Sequence, residues 1–168
     1  MNIFVLDESP KISAQMMLDK HVVKMPTESM QMMSTILTHY DLPSPFYPVM
    51  LNHPCTIWAR ESKQNFQWLR AHCLALCKEY TVRYGKRHKV EWILEHFADT
   101  WVKLENEILP DKGLTPFAIA ISDHMNCRQI DGFDELSAIE KYRLYYIHDK
   151  NHIAEWKTEK PDWYGDII

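Results

Sequence analysis

Glycine is scarce in this chain, with only four in 168 residues beside nine prolines. So little Gly and Pro excludes a collagen-like or low-complexity protein. No apolar run approaches the ~18 residues that a membrane-crossing helix needs, so no membrane association is expected. Also missing are GxxxxGK[ST], GxGxxG and GxSxG, which argues against P-loop, dinucleotide-binding and serine-hydrolase chemistry. The cysteines Cys55, Cys73, Cys77 and Cys127 form no Cys-x-x-Cys pair, and there is no HExxH helix. His148 and His152 do sit four apart, but no metal site and no cofactor is expected. Nor is there an excess of positive charge: 19 Lys+Arg stand against 23 Asp+Glu, a net charge of −4. Proteins that coat nucleic acid non-specifically are basic overall, so a nucleic-acid role here must rest on a local patch. The opening MNIFVLDESP lacks the basic n-region of a signal peptide and meets acid at Asp7 and Glu8. With buried reduced thiols as the simplest reading of the cysteines, a cytoplasmic location is expected.

What is present is apolar mass. A hydrophobic fraction of 46% excludes intrinsic disorder. The length suits one domain with a sizeable core, taken as 1–168. Ile3-Phe4-Val5-Leu6 is an apolar run that reads as a short strand, broken by Asp7 to Pro10. From 11 to 39 the apolar residues follow helical spacing, with a kink or break expected at Pro26. The segment 40–55 holds four prolines and reads as a loop. Asn52 is a plausible N-cap for a helix over 54–84, with Pro54 in its first turn and Gly85 as its stop. Its apolar stripe runs through Trp58, Asn65, Leu69, Cys73, Leu76, Tyr80 and Tyr84. A third helix is expected over 89–109, then a loop-rich stretch, then a helix from Asp134 to Asp149. The pattern predicts a mainly α protein, a compact single-domain bundle of about four to six helices with long loops.

Chemistry concentrates in the segment Asp19 to Glu28. His21, Lys24 and Glu28 fall at i, i+3 and i+7, on one face of a helix that survives Pro26. An imidazole, an amine and a carboxyl group beside a proline bend are the parts of an acid–base site. A solvated helix face with i, i+4 pairing would show the same spacing. Asn52 and His53 open the long helix, where backbone N–H groups attract anions or simply receive caps, and Arg60 could add charge. Arg83, Lys86 and Arg87 belong to the one dense basic run, suited either to a helix C-terminus or to a phosphate backbone. Arg143 and Tyr145 mix charge and ring on the last long helix, and Trp163 and Tyr164 end the chain with adjacent aromatics. These rings suit base stacking or core covering alike.

Several of these blocks resemble a known family. His21, Pro26 and Glu28 resemble the catalytic helix of the bacteriophage pyrimidine dimer DNA glycosylases, in which a His and, seven residues on, a Glu share a helix with a nearby proline. The ending Lys160-Pro161-Asp162-Trp163-Tyr164-Gly165 resembles that family's basic-Pro-x-Trp-Tyr tail, and Asn52-His53-Pro54 a motif of bacterial relatives. Over nearly its whole length the chain is also similar to uncharacterised phage proteins carrying MNIFVLDE, DKHVVKM, NHPC, RYGK and WY blocks. The resemblance implies a compact helical bundle that acts on DNA, or on a nucleotide, by base excision. An amine attacks sugar C1′ and forms a Schiff base, while a Glu stabilises the cationic sugar. It places Glu28 as the acidic catalyst and His21 as a DNA-contacting or orienting group.

Two departures stand out. The family's nucleophile is the amine of a small residue exposed by Met removal. Here Asn2 follows Met1 and is bulky enough for Met1 to be retained, so the Met1 amine or Lys24 is the candidate nucleophile. The family also places Arg before the Glu to grip phosphate, where this chain has Thr27. Arg60, Arg83, Lys86 and Arg87 are the expected phosphate holders, and Trp163, Tyr164 or Tyr145 the stacking partners. The same scaffold also suits a transferase modifying phage nucleosides, and the acidic net charge suits a non-enzymatic protein that binds a host factor. No oligomeric state follows from the sequence.

Overall fold

The computed structural model describes residues 1–165 of the protein. Among them are eight α-helices, three 3-10 turns and one π-helical turn, with no strand. The helices are α1 (Pro10–Met16), α2 (Asp19–His39), α3 (Pro54–Glu61), α4 (Lys63–Tyr84), α5 (Lys89–His96), α6 (Ala98–Lys103), α7 (Ala138–Asp149) and α8 (Asp162–Gly165). The mainly α expectation stands, but the helix number exceeds four to six because predicted helices divide.

Each division has a local cause. Ser62 is extended at φ −148°, ψ 155°, so it ends α3 and caps α4, its Oγ accepting from Asn65 N–H at 3.0 Å. That hydroxyl also donates to the Gly113 carbonyl at 2.8 Å, so the long loop after α6 holds the break open. Met17, extended at ψ 142°, separates α1 from α2. Phe97 separates α5 from α6, and the segment then slackens into the π turn Leu104–Ile108, where Glu105 takes Arg70 in a two-pronged ion pair. His53, not Asn52, caps α3, its Nδ1 accepting from Cys55 N–H. Ser137, not Asp134, caps α7 through a capping box with Glu140.

α2 runs through Pro26 without a break. A proline withdraws one donor from the ladder, and carbonyls close to it gain side-chain donors instead. His88 Nε2 donates to the Val23 carbonyl at 3.1 Å, and Cys73 Sγ to the Pro26 carbonyl at 3.6 Å. α2 packs mainly on α4 and α3, and α1 packs on α4.

The run Ile3–Leu6 is not a strand. It is a single irregular segment, entirely buried and without a ladder partner, with Phe4 at φ +55° in its middle. Its backbone groups therefore need side-chain partners. Asn2 Oδ1 accepts from the N–H groups of Ile3 (2.8 Å) and Phe4 (3.2 Å), Ser13 Oγ accepts from Leu6 N–H (3.0 Å), and Arg143 Nε donates to the Leu6 carbonyl (3.0 Å).

Arg83 ties the other end of the bundle. Its side chain is 0% exposed. The guanidinium donates to Asp19 (3.1 Å), Glu79 (2.9 Å) and the carbonyls of Met17 (2.6 Å) and Gln15 (3.0 Å). It thus closes the α1–α2 junction onto α4. Arg83→Met should lower unfolding free energy by about 3–5 kcal/mol, because Asp19 and Glu79 lose their buried counter-charge. Urea denaturation checks this, and a loss below about 1 kcal/mol, the level of an exposed ion pair, would contradict it.

Candidate active site

The first turns of α2 and the buried N-terminal segment enclose a cleft of about 440 Å3. Met1, Asn2 and Phe4 form one wall; Lys20, His21, Lys24, Met25 and Glu28 form the second. Ala120, Tyr145, Lys150 and Ile153 complete it. The i, i+3, i+7 spacing does bring His21, Lys24 and Glu28 to a shared concavity. Four cationic groups (Lys20, Lys24, Lys150 and the Met1 amine) meet one carboxylate there. An acidic protein therefore carries a cationic cleft.

Glu28 stands between two amines. Its Oε1 lies 3.7 Å from the Met1 amine and 3.8 Å from Lys24 Nζ. The two differ in setting: the Met1 side chain is 4% exposed and that of Lys24 is 69% exposed. Met1 is held from behind, with its sulfur 3.8 Å from the Thr56 hydroxyl. Asn2 fixes the next residue, donating from Nδ2 to the Ala120 carbonyl at 2.8 Å while its Oδ1 caps Ile3 and Phe4. Phe4 takes φ +55°, a conformation bulky side chains rarely adopt, at a cost of about 1–3 kcal/mol. The Asn2 bonds and full burial offset that strain at the wall of the cleft.

The His21 ring is 6% exposed, stacked on Phe4 at 4.2 Å, with Nδ1 2.6 Å from the Tyr146 hydroxyl. Burial, aided by the charges of Lys150 and Lys24, pushes its imidazole down to about 3. It is therefore neutral in the working range of most enzymes. Burial likewise lowers the ammonium of Lys150, with Asp149 opposing the shift. That ammonium sits over the rings of Tyr145 (5.0 Å) and Phe4 (5.8 Å). Beneath the amine, burial holds the Cys55 thiol up to about 12, so it fills space uncharged.

The remaining sequence candidates scatter. His53 lies beside Met1 in an adjoining depression with Ile119 to Asp123, while Asn52 is exposed on the preceding loop. Burial lowers the His53 imidazole, and the nearby terminal amine adds to the effect. The Arg60 guanidinium is engaged with the Leu51 carbonyl. Arg83 is interior, so its charge is spent on Asp19 and Glu79. Arg87 is bound by Glu91 and Glu95 and lies over Trp92, while Lys86 is exposed. Arg143 braces Leu6 and Asp7. Tyr145 lines the cleft. Trp163 and Tyr164 pack elsewhere, Trp163 with its indole N–H on Met16 Sδ and Tyr164 against Trp156.

Sequence reasoning missed Asn2, Phe4, Lys20, Lys150 and Tyr146. Lys20 could have been found, since it is one turn from Lys24 in the same motif. Asn2, Phe4 and Lys150 reach the cleft, and Tyr146 reaches His21 behind it, through contacts distant in sequence.

Among the described residues, then, this is an all-helical protein with a cationic cleft that joins a terminal amine to a carboxylate. The sequence model of the pyrimidine dimer DNA glycosylase family matches residues 1–93, more than half of the chain. The chain belongs to that family. No curated protein and no solved structure matches it. The matched part contains Met1, His21, Lys24 and Glu28, whereas Tyr145, Tyr146 and Lys150 lie beyond it.

Two buried imidazoles set a pH dependence. His21 is held at about 3 and His72 at about 4, both chiefly by burial. An unfolded imidazole takes its proton near pH ~6.5. The unfolded chain therefore binds more protons between those values, and stability is full above pH ~6.5 and lost progressively as pH falls towards 4. His72 Nδ1 faces the Pro10 carbonyl at 3.0 Å, a contact an amide can keep. Denaturation at pH 7 and pH 5 should show a smaller acid loss for His72→Asn than for the parent, and equal losses would contradict this origin.

Proposed function

We propose that this protein excises a pyrimidine base from damaged or modified DNA, with the Met1 α-amine as nucleophile and Glu28 as the acid–base group. The observation that carries the reading is the 3.7 Å approach of a half-enclosed amine to a carboxylate inside a cationic cleft. Family membership supports the reaction class.

The parts divide the work as follows. Lys20, Lys24 and Lys150 attract the phosphate backbone, taking the place of the Arg that Thr27 replaces. A flipped nucleotide enters beside Tyr145 and Phe4. The free amine attacks C1′ as the C1′–N1 bond breaks. The base leaves with that electron pair and takes a proton from solvent. Glu28, as a carboxylate, stabilises positive charge developing on the sugar and then accepts the proton shed by the attacking nitrogen. Sugar ring opening, with Glu28 returning that proton to O4′, then gives the imine. Removal of the C2′ proton expels the 3′ phosphate, and water releases the enzyme. Lys24, largely exposed, pairs with Glu28 from the mouth of the cleft.

The test is base release from modified pyrimidines, glycosidic cleavage of pyrimidine dimers read after photoreversal frees the tethered base, and strand cleavage on both duplexes. Glu28→Gln should slow the reaction at least ~100-fold, the lower end for an acid–base group. Absence of any product with the parent protein, or full activity in Glu28→Gln, would overturn the reading.

A further inference from the structure

His21 is held on several sides, and the hold determines where its proton sits. Phe4 stacks on the ring, with 22° between the planes. The Tyr146 hydroxyl lies 2.6 Å from Nδ1. Tyr146 is fully buried, and the His21 ring nitrogen is the hydrogen-bond partner of its hydroxyl. A phenol hydroxyl has one proton to donate, and Nδ1 of His21 is the acceptor at hand. Were Nδ1 protonated instead, the hydroxyl would accept from the ring and its own proton would be stranded in the core, at the cost of an unmade buried bond. Desolvation and the ammonium groups of Lys150 and Lys24 keep a second proton off the ring. Among the described residues nothing bonds Nε2, and the ring lines the cleft.

We propose that Tyr146 fixes the single ring proton of His21 on Nε2, and that this N–H donates to the O2 carbonyl of a pyrimidine seated in the cleft. The inference rests on the base-excision reading and adds to it a group for the leaving base. When C1′–N1 breaks, the bonding pair passes into the pyrimidine ring and negative charge gathers on its carbonyl oxygens. A fixed N–H donor in a dry wall stabilises that charge without transferring a proton, and the base collects its proton from solvent afterwards. His21 is thus a catalytic residue acting on the base, and Tyr146 is a positioning residue acting through it. Tyr146 lies beyond the part of the chain that the family model matches.

Two measurements test this together. Long-range proton–nitrogen NMR at pH 7, assigned by the signal lost in His21→Gln, should show a ring protonated on Nε2 alone. Tyr146→Phe should replace that single form with a mixture of tautomers. An Nδ1-protonated or charged ring in the parent overturns the proposal whatever the activity. Kinetically, His21→Leu should slow base release about 100-fold, the scale of one lost transition-state donor. His21→Gln, whose amide reaches the Nε2 position, should retain more activity than His21→Leu. Both variants should cleave a preformed abasic site at the parent rate, since the base is already gone. Equal loss on intact and abasic substrates, or no loss on either, overturns the donor role while leaving base excision standing. A parent protein that cleaves abasic sites but releases no base overturns both.

Discussion

Everything at the site depends on burying five consecutive N-terminal residues, Asn2 to Leu6, between helices as one unpaired segment. Such a segment is expensive, because its backbone has no sheet or helix to join. The protein meets that demand with side chains from across the molecule: Asn2 itself, Ser13 from α1, and Arg143 from α7. The result is a terminal amine delivered to a fixed point beside α2, where Glu28 waits. The same segment supplies Phe4, on which His21 stacks. Carboxylate, amine and imidazole are therefore parts of one packing arrangement, and loosening the segment would disperse all three.

Charge is organised on two levels. Many of the guanidinium groups are consumed internally. Arg83 joins α4 to the α1–α2 junction, Arg70 holds the π turn through Glu105, and Arg87 is neutralised by Glu91 and Glu95. The cleft is left to lysines and the terminal amine, which are point charges on flexible or solvated stems. This explains how a chain with net charge −4 can present a cationic concavity. The field is local, set against one carboxylate, and is suited to holding a phosphate near the reacting sugar rather than to coating a long duplex.

Much of this was legible in the sequence. Helical periodicity gave the elements, and the spacing of His21, Lys24 and Glu28 placed three cleft residues on one face. The helix runs on through Pro26, with His88 and Cys73 bonded to carbonyls near it, contacts that no local pattern announces. The strand reading of Ile3–Leu6 does not hold, since Phe4 turns to φ +55° and an apolar run does not say whether a sheet exists. Ser62 breaks the longest predicted helix because a loop 51 residues away accepts its hydroxyl. Basic residues were the least legible. Sequence shows that Arg83, Lys86 and Arg87 cluster, yet only tertiary packing shows one of them in the core and another already paired. Lys150 and Tyr146 became visible only when α7 was laid across the N-terminal segment.

The most direct test of the account is the identity of the attacking nitrogen. Borohydride reduction of the protein with damaged DNA, followed by proteolysis and mass spectrometry of the cross-linked peptide, reads it without assumption. The buried N-terminal segment predicts a reduced adduct on the α-amine of Met1. An adduct on Lys24, or no covalent species while base is being released, would contradict it.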